Sequence, residues 1–156
     1  MGSHAILGQF PHAPAELLIS QEADVFPAAH PERAELIDAT IGESSPFERE
    51  FGYFAHGVGE ETAVLPAGWR DRLVLVSGEN TRFVKGWCLE VHDLAVAKYV
   101  AGREKDRDFT KSLVRHGMVK RSTLEERLDA TRMGGQLRDL VCARMEADFA
   151  SGGSSS

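Results

Sequence analysis

Residues 92–106 read HDLAVAKYVAGREKD and hold a helix, its stop and the start of the next helix. Asp93 reads as an N-cap, and the segment runs to about Ala101. At 3.6 residues per turn, Leu94, Ala97, Lys98 and Ala101 share one stripe. Gly102 interrupts the run. A second helix is predicted over about 105–116, closed by Gly117. Ser122-Thr123-Leu124-Glu125 has the spacing of a capping box and opens a third. A fourth follows the Gly134-Gly135 break, over about 136–149.

The first half has a different texture. Residues 16–25 (ELLISQEADV) suit a helix end running into a strand. Residues 31–40 predict a helix, with Pro31 in the first turn and Ala34, Leu36, Ile37 and Ile41 on one side. Strands are predicted at 51–58, at 62–65 (TAVL) and at 73–76 (LVLV), the last as a buried strand. Residues 86–89 suit a short edge strand. Strands first and helices last give an α+β class: a small mixed sheet in the N-terminal half and a helical C-terminal half. Residues 1–150 are expected to form a single domain, and residues 151–156 (SGGSSS) a disordered tail.

The 156 residues suffice to bury a sizeable core. With 42% hydrophobic and 27% charged residues, composition excludes a disordered or collagen-like chain. No run approaches the ~20 apolar residues that span a bilayer. Residues 4–18 lack the pattern of a secretory leader, so the expected location is cytoplasmic. A net charge of -6 argues against broad, sequence-independent binding to nucleic acid. Cys88 and Cys142 have no CxxC partner and read as reduced, buried thiols. The six histidines lack HxH or HxxxH spacing, and no serine sits in a G-x-S-x-G elbow.

Two constellations carry chemistry. Glu22 and Asp24 are two apart, so on a strand both carboxylates leave the same face. They repel unless a cation lies between them, and Mg²⁺ (or Mn²⁺) suits hard oxygen ligands beside substrate phosphates. Such a pair is a candidate for phosphoryl or nucleotidyl transfer; it is also what a solvent-facing edge strand carries. Lys98, among small apolar residues, either snorkels to water or points into a site holding phosphate or carboxylates. Arg103-Glu104-Lys105-Asp106 is either a helix cap with surface ion pairs or part of the same site.

Taken together, a Gly-Ser pair followed by acid-x-acid resembles the nucleotidyltransferase superfamily with the polymerase-beta-like fold. The segments GSHAILGQFP and HDLAVAKYVAGREKD resemble its small prokaryotic branch, DUF6036, and more remotely the AbiEii-type nucleotidyltransferase toxins. The resemblance spans about residues 2–145. It implies a nucleotidyltransferase-like sheet, with Gly2 and Ser3 as the turn that approaches the triphosphate. It further implies Glu22 and Asp24 as metal carboxylates, and Lys98, Arg103 and Lys105 as nucleotide-binding cations. Asp106 would either orient a basic residue or assist the nucleophile. Lys98 and Asp106 join Glu22 and Asp24 as candidate catalytic residues. The resemblance also implies a helix and a strand ahead of Gly-Ser, and that strand is expected to be missing here; residues 1–4 can alternatively be read as a cloning remnant.

The expected function is Mg²⁺-dependent transfer of a nucleoside monophosphate from an NTP to a hydroxyl on RNA, protein or a small molecule. The alternative is an inactive binding module of the same fold, one half of a toxin–antitoxin or defence pair, which would dock a partner protein through its helical half.

Overall fold

The computed structural model describes residues 2–79 and 82–152. At its centre lies α3 (Val91–Ala101), in which Val91, Asp93, Leu94, Ala95, Val96, Ala97, Lys98 and Tyr99 are all buried. Leu94, Ala97 and Lys98 of the predicted stripe are buried, and burial extends beyond that stripe. The helix is covered on nearly every side, as expected of a segment with small and apolar residues all round, and Ala101 is exposed at its end. Glu90, not Asp93, caps it: the Glu90 side chain accepts from the His92 N–H at 3.0 Å. Asp93 turns inward instead, where Arg72 donates to it through Nε and Nη2 at 2.8 and 2.9 Å.

Three helices pack around α3. In α4 (Glu104–Arg115) the inward residues are Asp106, Phe109, Thr110 and Leu113, a clear helical period. Helix α5 (Arg121–Asp129) contributes Leu124 and Leu128, and α6 (Gly135–Gly152) contributes Val141 and Met145. The predicted capping box at Ser122 does not form. Lys120 is the N-cap, and its N–H is held at 3.0 Å by His92 Nε2, so the helix starts ahead of Ser122. Ile6, Leu17 and Leu89 complete the core from the N-terminal half. Each fully buried aliphatic side chain contributes about 1.5–3 kcal/mol. The core thus sits among the helices and not under the strands. Buried Tyr99 ties α3 to α6 by donating to Asp148 at 2.9 Å.

The strands form two small sheets. β1 (Glu22–Val25) pairs in parallel with β2 (Phe54–Gly57). Between them lie α1 (Ala34–Ile41) and α2 (Pro46–Phe51), the latter capped by Ser45, which accepts from the Glu48 N–H. β3 (Val74–Val76) pairs antiparallel with β4 (Gly86–Cys88). The α+β class holds, with several local corrections. Residues 62–65 form no strand: Thr62 closes the 3₁₀ turn Glu60–Thr62. The 73–76 strand is not buried: Leu75 is 47% exposed and its register partner Trp87 58%. Residues 151 and 152 of the predicted tail complete α6, whereas Met1 and residues 153–156 lie outside the described residues. Cys88 and Cys142 are free and only partly buried.

Candidate functional site

The pairing of β1 with β2 sets Asp24 opposite His56 and Val25 opposite Gly57. Strand alternation places Glu22 and Asp24 on one face of β1, and the register puts His56 beside them. Gly2 is buried against this strand. A Cβ there would lie 3.0 Å from the Asp24 backbone nitrogen and 3.3 Å from Asp24 Oδ2. The 3₁₀ turn Ser3–Gly8 starts from Gly2, and His4 Nδ1 lies 3.3 Å from the Glu22 carbonyl. The fold thus brings Gly2 and Ser3 to the acidic strand across the intervening residues 4–21.

The basic residues arrive from the start of α4. Lys105 Nζ is 3.3 Å from Glu22 Oε2. Asp106, only 1% exposed, accepts from Arg103 Nε at 2.6 Å, from Arg103 Nη2 at 3.2 Å and from the Arg103 N–H at 3.3 Å. Lys98 Nζ lies 3.2 Å from Asp106 Oδ1. Burial works to raise the Asp106 pKa, but Arg103 and Lys98 outweigh it and hold the carboxyl below its ordinary range. The Arg103 pKa is raised, first by its hydrogen bond to Asp106 and further by the charges of Asp106, Asp24 and Glu22. The guanidinium is therefore held where it feels both candidate metal carboxylates. Lys98 does not snorkel: it is 6% exposed, with its ammonium 6.0 Å from the Phe109 ring centroid.

Two residues that the sequence reading passed over stand on the other side. Glu22 Oε1 is 4.0 Å from His56 Nδ1, and His56 Nε2 is 3.9 Å from Asp38 Oδ1. Asp38 Oδ1 also accepts from the Gly57 N–H at 3.0 Å, which ties α1 to the end of β2. Gly57 is required there, because a Cβ would fall 2.0 Å from the Ala34 carbonyl oxygen. No local spacing announces Asp38 and His56; only the β1–β2 pairing brings them together. Asp71 is exposed on the 3₁₀ turn Trp69–Arg72, and its neighbours Arg70 and Arg72 pair with Glu60 and Asp93.

Among the described residues, no group of three or more His, Cys, Asp or Glu side chains is arranged to hold a metal ion. Glu22 and Asp24 alone offer two carboxylates from one strand face. That donor set fits Mg²⁺ or Mn²⁺ only where substrate phosphates and water supply the other ligands.

Comparison with known proteins gives no match among curated proteins and none among solved structures. A family model does match, over residues 19–149, and takes in the acidic strand, α1, β2 and the basic turn at Arg103. Gly2 and Ser3 lie ahead of the matched stretch. Over this stretch, which is most of its length, the chain belongs to the nucleotidyltransferases of unknown function, DUF6036.

Proposed function

We propose that this chain is a nucleotidyltransferase that moves a nucleoside monophosphate from an NTP to a hydroxyl acceptor. The observation that carries this reading is the contact of Lys105, at the start of α4, with Glu22 on the acidic strand that Gly2 packs against, from distant parts of the chain. In this reading Glu22 and Asp24 hold Mg²⁺ or Mn²⁺, which when bound neutralises charge on the phosphate oxygens. Gly2 lets the backbone approach the triphosphate, and Ser3 hydrogen-bonds a phosphate oxygen. Arg103 and Lys105 bind the phosphates as forked and point cations. Asp106 acts as a positioning residue, because both its oxygens are engaged by Arg103 and Lys98. Lys98 contributes by balancing Asp106 in the core. The acceptor oxygen forms its bond to the α-phosphorus as the bond to pyrophosphate breaks, and the hydroxyl proton leaves to solvent.

The test uses each α-labelled NTP with Mg²⁺, cellular RNA, protein and small-molecule pools as acceptors, and Asp24→Ala as control. Label transferred by the wild type and lost in D24A, with unchanged circular dichroism, supports the reading. Absence of label with every pool overturns it, and full activity in D24A removes Asp24 from the metal site. Docking through the helical half finds little support: of the large hydrophobic side chains exposed among the described residues, only Leu140 lies on α3–α6.

A further inference from the structure

We infer that Lys105 stands in for the metal ion in the ligand-free protein, and that it changes partner from Glu22 to the substrate phosphates when metal and nucleotide bind; this rests on the nucleotidyltransferase reading above. Two carboxylates on one strand face repel each other unless a cation lies beside them. The chain supplies its own. Lys105 Nζ is 3.3 Å from Glu22 Oε2, and among the described residues it pairs with Glu22 alone. The contact joins α4 to β1 across 83 positions of sequence. Tertiary packing, and not local spacing, delivers the ammonium to the acidic strand.

The two cations at the start of α4 are held differently. Arg103 is fixed: Asp106 accepts from its N–H, its Nε and its Nη2, and Asp106 is itself paired with Lys98 in the core. Lys105 has no such anchor. Its side chain is 54% exposed and that of Glu22 33%, and its ammonium rides on a long flexible stem. An ion pair this open is weak, and its partners separate readily. Glu22 Oε2 can serve as a metal ligand only after Lys105 has left it. The displaced ammonium then needs an anion, and phosphate oxygens beside the same carboxylates provide one. Each event therefore favours the other, and such coupling is reciprocal. Without nucleotide, the same lysine holds the affinity for metal down, by occupying Glu22 and by its charge.

Titration with Mn²⁺ alone, followed by electron paramagnetic resonance, tests the exchange without requiring turnover. Lys105→Met removes the ammonium from an exposed position and leaves a good helix former, so α4 survives the change, as circular dichroism would check. K105M is expected to bind Mn²⁺ at least about threefold more tightly than the wild type. Lys111→Met takes the same charge from an exposed position further along α4, and is expected to bind as the wild type does. A fluorescent ATP analogue in EDTA reads the other half of the exchange: it is expected to bind the wild type at least about threefold more tightly than K105M. Equal Mn²⁺ affinity of wild type and K105M overturns the inference, and so does an equal gain in K111M, which would reduce the effect to net charge. Equal binding of the analogue overturns the transfer of Lys105 to phosphate. All of these outcomes leave the nucleotidyltransferase reading intact. Absence of Mn²⁺ binding at millimolar concentration in wild type and K105M alike refutes instead the placing of a metal at Glu22 and Asp24, and the exchange falls with it.

Discussion

Replacing Asp106 by asparagine takes away the carboxylate that Lys98 faces in the core. The two side chains are 1% and 7% exposed and lie 3.2 Å apart. Removing one partner of a buried ion pair costs about 3–5 kcal/mol, because the other charge is left without compensation. The Arg103 side chain is 55% exposed, so its share of the loss is close to that of a surface pair, about 0–1 kcal/mol. Asparagine keeps one acceptor oxygen, which places the expected loss near the lower bound, about 3 kcal/mol. With a urea m-value of about 2 kcal/mol/M, the midpoint falls by about 1.5 M. A double-mutant cycle with Lys98→Met isolates the pair, and the double variant should be at least about 1 kcal/mol more stable than the sum of the single losses predicts. A D106N midpoint within about 0.5 M of wild type, or strict additivity in the cycle, would refute the reasoning, since either means that the Lys98 ammonium finds water by another route.

The same carboxylate sets a pH dependence. Its folded pKa is depressed, so its contribution is complete above the ordinary carboxylate value of about 3.9 and is lost as pH falls through the lower folded value. The stability gap between wild type and D106N should therefore narrow below about pH 4 in urea titrations. Asp93→Asn should cost about 3–5 kcal/mol in the same assay, because Asp93 is 0% exposed between Arg72 and Arg127; a loss under 1 kcal/mol would mean that the two guanidinium groups do not depend on it. Gly57→Ala should cost about 1–3 kcal/mol by forcing α1 off β2, and it should lower transfer activity as His56 and Asp38 shift. Normal stability and activity in G57A would show that α1 is not held as closely as the Gly57–Ala34 approach requires.

Much of the helical half is legible in the sequence because its signals are local. The period 106, 109, 110, 113 marks the inner face of α4, and Gly102 stops α3 in a left-handed turn with φ of +61°. Two helix caps are misread for a tertiary reason: Asp93 is drawn inward by Arg72 and Arg127, and His92 fixes the chain ahead of Ser122. Neither partner is near in sequence. The LVLV stretch illustrates the limit of hydrophobicity as a burial signal, since a hairpin at the margin leaves Leu75 and Trp87 facing outward together. At the site, the spacing of Glu22 and Asp24 marks a candidate pair that a solvent-facing strand would carry as well, and the family resemblance is what singles it out. Asp38 and His56 have no such mark, because nothing in the chain says that β1 and β2 are neighbours until α1 packs on them.

Helix α3 carries two buried charges, each answered from a different direction. Asp93 meets Arg72 and Arg127, and Lys98 meets Asp106. Five residues separate them, which at about 100° per residue sets the two side chains about 140° apart around the axis. The helix is thereby keyed like a shaft with two offset slots. Inserting or deleting one residue between 93 and 98 turns one key by about 100° against the other, so no rotation or slide of the helix restores both pairs. The distance from Asp93 to Lys98 is accordingly a fixed dimension of this fold, and a change of chain length is expected to be tolerated in the loops and not between these two residues.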